Sequence, residues 1–216
     1  MDYQAQEYPV HAHTQDTHEQ LNEYNQATSY DRRSNTQHQT GGTDSVFPAF
    51  YSIKIHNKNA AFEIKPTRTQ KGFITVNIEA ARSIPGTSNP IKYNWPQKLI
   101  IQITKTELAD LVMVLLGMSN TVECNNHNVG SVAKSISLAQ QEDGVYVKLN
   151  KYDKNNNTNN QYITVKLPTN EALAAGHMAL VQYCQNFPTL TTDSALKTFE
   201  YTIKRKTILK RKSSAQ

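Results

Sequence analysis

The sequence predicts an α+β fold of two four-stranded antiparallel sheets, each followed by a helix, so that a ββββα unit occurs twice. Three observations carry this expectation. Short segments alternate apolar and polar residues with a period of two, the pattern of half-buried strands. Two longer segments space their apolar residues at three and four, the pattern of an amphipathic helix. Along the chain the order is four strands and a helix, then four strands and a helix, although no repeat is visible residue by residue.

Composition sets the bounds of that domain. The chain has 216 residues, and in residues 1–48 only Val10, Leu21 and Val46 are Val, Leu or Ile. A segment of Gln, Asn, His, Thr and Asp cannot bury enough apolar surface to offset the entropy of ordering, so 1–48 reads as a disordered acidic tail. Residues 49–190 form the domain, and 191–216 read as a basic tail, flexible or with one short strand at Phe199, Tyr201 and Ile203. His11, His13 and His18 lie in the acidic tail, where no ordered frame would set metal geometry, so no metal site is expected there.

The elements follow in order. Tyr51, Ile53 and Ile55 alternate with Ser52, Lys54 and His56, giving a first strand. Asn57-Lys58-Asn59 is turn chemistry. Ala60, Phe62 and Ile64 give a second strand, which Pro66 is expected to end. Ile74, Val76 and Ile78 alternate with Phe73, Thr75 and Asn77 in a third. A Pro/Gly/Ser/Asn loop spans Ser83 to Pro90. Gln97 to Ile103 alternates as the fourth strand, with Leu99, Ile101 and Ile103 on one face. Thr104 and Glu107 then form a capping box, and Leu108, Leu111, Val112, Leu115 and Leu116 make a helix that Gly117 can end.

The second unit repeats the scheme. A weaker strand is expected around Thr121 to Cys124, and another through Ile136 and Leu138. Glu142-Asp143-Gly144 is a hairpin turn, leading into Val145, Val147 and Leu149. Lys154 to Asn160 is a long hairpin tip. Ile163, Val165 and Leu167 form the eighth strand, and Pro168-Thr169 opens a helix whose expected stripe is Leu173, His177, Leu180, Val181 and Cys184.

Charge and faces point to a partner. Residues 1–48 carry two basic and seven acidic side chains, whereas 191–216 carry seven basic and two acidic. A basic body with a basic end suits a polyanion such as nucleic acid. If the aliphatic residues of each strand face the helices, the opposite faces present aromatic rings interleaved with lysines. Rings stack on bases at about 1–3 kcal/mol each, and ammonium groups follow phosphates. Phe73, Tyr93, Trp95, Tyr146 and Tyr162 are the stacking candidates; Lys54, Lys58, Lys65, Lys98, Lys148 and Lys166 are the phosphate candidates. Tyr93 and Trp95 have a second reading, as core residues that fix the strand entry.

Other chemistries find little support. No Gly-rich phosphate loop, paired metal-ligand motif or serine elbow occurs, so neither catalysis nor a cofactor is expected. Cys124 and Cys184 are far apart and suit a reducing compartment. No apolar run has the length of a membrane helix, and no membrane partner is expected.

The residues also resemble a family. Ala60-Ala61-Phe62 after a short turn is similar to the AAL of the KGKAALS motif of the Whirly proteins, which bind single-stranded DNA. Tyr93-x-Trp95…Lys98 resembles their Y-x-W…K, and Thr106-Glu107 with the following leucines resembles their S-x-TE helix. Gly144-x-Tyr146 and the final helix also fit, and the resemblance spans roughly residues 50–187. It implies a homotetramer with helices at its centre and sheets projecting outward, binding single-stranded DNA between sheets with little sequence preference, in repair, replication or recombination. Two departures stand out. Asn57-Lys58-Asn59 replaces the lysine pair of KGK, and the C-terminal end is basic rather than acidic. An RNA-binding or annealing protein, a DNA-binding transcription regulator and a protein-interaction module are the alternatives.

Overall fold

A computed structural model of the chain describes residues 51–87, 89–155 and 160–213, with side chains up to residue 209. The expected acidic tail and its histidines lie outside the described residues, as does most of the tip after Lys154. The first sheet contains β1 (Ile53–His56), β2 (Ala60–Arg68), β3 (Ile74–Arg82) and β4 (Leu99–Gln102) in sequence order. The second contains β5 (Thr121–Cys124), β6 (Val132–Gln141), β7 (Gly144–Asp153) and β8 (Gln161–Pro168), again in order. Every neighbouring pair is antiparallel. Helix α1 (Leu108–Leu115) follows the first sheet, and α2 (Thr169–Cys184) follows the second. A third helix, α3 (Thr192–Ser213), closes the described chain.

The period-two pattern decides what is buried. Phe62, Ile64, Val76, Ile78, Leu99 and Ile101 of the first sheet are buried, as are Ile136, Leu138, Val147, Leu149, Val165 and Leu167 of the second. They share one apolar cluster with α1, in which Leu111 to Leu115 are all buried. Apart from half-buried Ala109 and Asp110 near its start, α1 is buried and apolar around its circumference, which suits the interior.

Several expectations need correction. β2 runs through Pro66, which pairs with Val76, and continues to Arg68. β1 begins at Ile53 opposite Ile64, so at Pro66 the strand has lost one neighbour and a missing N–H is tolerated there. The fourth strand is shorter than its alternation, because Trp95–Gln97 form a 3₁₀ turn before it; Pro96 suits a first helical turn. Only half of the capping box forms. The Glu107 carboxylate accepts the Thr104 N–H at 2.9 Å, but the Thr104 hydroxyl donates to that carboxylate at 2.6 Å instead of capping the helix.

The stripe of α2 is rotated from its expected position. Leu173 and His177 are exposed, while Ala172, Ala175, Gly176 and Ala179 are buried. α1 comes so close that a Cβ on Gly176 would lie 2.7 Å from Leu116 Cδ2 and 3.1 Å from Leu115 Cβ. Small residues thus make up much of the buried face, beside Met178 and Leu180, of which Leu180 belongs to the expected stripe. Beyond α2, the Asn186 amide binds the backbone of Ile74 at the start of β3. Its Oδ1 accepts the N–H and its Nδ2 donates to the carbonyl, both at 2.8 Å.

The C-terminal segment is helical rather than a flexible tail or a strand. Thr191 Oγ1 accepts the Ser194 N–H at 3.2 Å, an N-cap bond. Ala195 and Phe199 are buried at i, i+4 spacing, with Leu196 and Ile203 packed beside them. The Phe199 ring lies 5.3 Å from that of Tyr183 in α2. Residues 204–209 are exposed, since the face that was apolar carries Lys206 from there on.

Candidate nucleic-acid interface

The outer face of the second sheet is the side of β6, β7 and β8 turned away from the core. Strand alternation places Tyr146, Lys148, Asn150 and Tyr152 of β7 on it, with Tyr162, Thr164 and Lys166 of β8. Registry sets Tyr146 opposite Lys166, Lys148 opposite Thr164 and Asn150 opposite Tyr162. The β6 residues in the same rows are small: Ala133, Ser135, Ser137 and Ala139. The rings therefore stand above a low flank. Tyr146, Tyr152 and Tyr162 are 36%, 47% and 58% exposed, a large commitment of aromatic surface to solvent.

Tyr162 is the meeting point of two cations. Lys148 Nζ lies 5.7 Å from its ring centroid, across the diagonal of the β7–β8 pair. Arg82, from the end of β3 in the first sheet, places its guanidinium carbon 5.4 Å from the same centroid. The Arg82 guanidinium also donates to the Tyr162 carbonyl, and Asn57 Nδ2 donates to the Lys166 carbonyl at 2.8 Å. Both carbonyls lie on β8, the edge strand of its sheet. These bonds cover an otherwise open edge and fix the two sheets to each other beside the exposed rings. Lys166 forms an ion pair with Asp143, whose carboxyl is held below its ordinary value by that hydrogen bond.

The first sheet is different. Its outer face carries Glu79, only 2% exposed. Lys65 Nζ and Lys98 Nζ each lie 2.7 Å from one of its carboxylate oxygens. Burial opposes the charge on Glu79, but the two ammonium groups outweigh it and hold the carboxyl below its ordinary value. Ala61 and Ala81, of the same parity, are fully buried. This face is thus closed at its centre, and Lys65 and Lys98 are engaged in holding a buried carboxylate. Lys54 is exposed, 3.9 Å from Glu63; Lys58 is exposed in the β1–β2 turn.

The remaining candidates also separate. Phe73 is half-buried against the apolar cluster, off the sheet face. The Tyr93 hydroxyl donates to the Asn57 carbonyl at 2.8 Å, and its ring lies 5.3 Å from His56. Burial raises the Tyr93 phenol and, ahead of nearby Lys54, lowers the His56 imidazole. Trp95 is half-buried with Lys98 Nζ 6.0 Å from its ring. Of the eleven site candidates, the structure gathers Tyr146, Lys148, Tyr162 and Lys166 on one face. Tyr152, Arg82 and Glu79 were missed. Tyr152 was legible, since it continues the 146–148–150 parity; Arg82 comes from the other sheet and no local pattern marks it. Elsewhere, Cys124 is buried and its thiol is pushed up to about 12, by burial and then by Glu107 and Asp110, which makes it a poor nucleophile.

No family model matches the chain, and no curated protein matches it by sequence. Solved structures do. The plant transcriptional regulator PBF-2 superposes with a TM-score of 0.52 at 16% identity, covering 66% of this chain and 86% of its own. WHY3 from Arabidopsis thaliana gives 0.49 at 18% identity, covering 63% and 89%. Both are Whirly proteins. The fold is Whirly-like. Two four-stranded antiparallel sheets, each followed by a helix, are the shared architecture. On this Whirly-like frame the tyrosine face lies on β7 and β8, and α3 carries the basic end. Among the described residues no helix is long and apolar enough to cross a membrane.

Proposed function

We propose that the protein binds single-stranded nucleic acid, DNA above all, on the outer face of its second sheet, with little sequence preference and without catalysis. The observation that carries this reading is the Tyr162 ring, more than half exposed and flanked by Lys148 and Arg82, with Tyr146 and Tyr152 on the same face. Unstacked bases find rings, and the phosphates between them find cations. Paired bases cannot offer their faces in this way, so a duplex is the poorer ligand. The basic end of α3 adds electrostatic affinity that does not depend on sequence. The Whirly resemblance supports a homotetramer and a role in coating strands during replication, recombination or repair, and PBF-2 is described as a transcriptional regulator.

Titration of a labelled oligonucleotide with the Tyr162→Ala variant tests the site. Loss of one stacking ring should weaken binding by about 5- to 150-fold, the equivalent of about 1–3 kcal/mol. Unchanged affinity with an intact fold would move the binding surface elsewhere. Competition by RNA of the same sequence decides between the two nucleic acids.

A further inference from the structure

A second cationic feature lies away from the tyrosine face, where the free edge of β4 meets the ends of β6, β7 and β8. Lys134 Nζ of β6 donates to the Ile100 carbonyl of β4 at 3.1 Å. Beside this bond lies a cleft of about 330 Å³, lined by Gln97, Lys98 and Leu99 at the entry to β4 and by Lys134, Lys151 and Gln161 of the second sheet. That volume is at the lower end of small-molecule sites, about 300–1,000 Å³.

Registry makes the charge pattern unusual. Lys134 stands directly opposite Lys151, and Lys151 opposite Gln161, in one row across three strands. The row has the parity of the core residues Ile136, Leu149 and Ile163, one step beyond the point where the core ends. Like charges directly opposite on neighbouring strands destabilise a sheet. Burial first, and Lys151 second, lower the pKa of the Lys134 ammonium group. Among the described residues no carboxylate lines the cleft to balance the pair. Lys98 already shares Glu79 with Lys65, so that carboxylate is fully engaged.

We propose that this cleft binds a phosphate group. An anion seated between Lys134 and Lys151 turns their repulsion into two charge-assisted hydrogen bonds, and the side-chain amides of Gln97 and Gln161 supply neutral donors to further oxygens. Phosphate has the charge and the number of acceptors for that set; a carboxylate has fewer acceptors. The group can come from a nucleic-acid strand, as an internal diester or a terminal monoester, or from a free nucleotide or pyrophosphate. The site does not depend on the tyrosine face.

Isothermal titration of the full chain with inorganic pyrophosphate, at ionic strength fixed with sodium chloride, tests the cleft. One saturable site per chain is expected, weakened at least tenfold in Lys151→Gln and unchanged in Lys197→Gln, which removes the same charge from the surface of α3. Lys151→Gln should melt no lower than the parent, because it relieves repulsion. Absence of saturable binding overturns the proposal, as does equal weakening in both variants. Oligonucleotides with and without a 5′-phosphate then separate the sources. Lys151→Gln weakens both if the cleft holds a diester, only the phosphorylated strand if it holds a terminal monoester, and neither if it holds a free nucleotide. Tyr162→Ala should leave the pyrophosphate titration untouched, so the cleft and the tyrosine face stand or fall separately.

Discussion

Tyr162 and Glu79 each gather two cations, with opposite consequences. Around Tyr162, Arg82 and Lys148 approach an exposed ring, and Lys148 is exposed to solvent beside it. Around Glu79, Lys65 and Lys98 close on a buried carboxylate and serve the fold. Strand parity put Tyr162, Lys148, Glu79, Lys65 and Lys98 on outer faces, and that much was legible; Arg82 has the parity of the core residues Ile78 and Ala80. Parity could not show that one outer face is covered, since burial of Ala61, Glu79 and Ala81 depends on what packs over them. The Glu79 cluster makes a pH prediction. Its folded pKa is lowered, so the stability it contributes is present above the ordinary carboxylate range and is lost as pH falls through the folded value. Denaturant unfolding from pH 7 to pH 3 should show a loss in the parent chain that is smaller in Glu79→Gln. At neutral pH that variant should be less stable by roughly 1–3 kcal/mol, below the full cost of breaking a buried pair because both lysines keep partial contact with water. Equal acid sensitivity in the two proteins would contradict this assignment.

Among the elements, the strands were the most legible and the helix faces the least. A period of two predicts one buried face, and the expected aliphatic residues are buried in β2, β3, β4, β6, β7 and β8, although β2 and β3 bury residues of the other face as well. A helix offers several faces, and close approach can favour the one with the smallest side chains. In α2 the buried residues are Ala172, Ala175, Gly176 and Ala179 together with Met178 and Leu180, so counting large apolar residues found Leu180 but put Leu173 and His177 on the wrong side. Gly176→Val should force α1 and α2 apart and destabilise the domain by about 1–3 kcal/mol, as overpacking does; the denaturation midpoint reads this directly. Gly144 is equally constrained. It has φ +148°, and a Cβ there would sit 2.0 Å from the Leu167 carbonyl oxygen, so Gly144→Ala should disturb the β7–β8 pairing beneath Tyr146. The α3 segment was misread because Phe199, Tyr201 and Ile203 fit a strand, while Ala195, Phe199 and Ile203 fit a helix. The Thr191 cap and the contact of Phe199 with Tyr183 decide for the helix.

At the scale of the molecule, the proposed function gives the sheet face and the basic end of α3 separable roles. Stacking on the face would persist in salt. Counterion release at the end, which carries Lys204, Arg205, Lys206, Lys210, Arg211 and Lys212, would not. A chain ending at Ile203 should bind single strands more weakly at low salt. Its salt slope should fall by as much as about 4, at roughly 0.7 per phosphate contact on a single strand, while its preference for single strands over duplex is kept. An unchanged slope would remove α3 from the interface. The most direct measurement is fluorescence anisotropy of a labelled single-stranded DNA oligonucleotide across a salt series, with unlabelled duplex as competitor, for the parent chain and Tyr162→Ala. The tyrosine-face account predicts that duplex competes poorly, that affinity persists at high salt, and that Tyr162→Ala removes that persistent part. Duplex competing as well as the single strand, with binding that collapses in salt and does not respond to Tyr162, would contradict it.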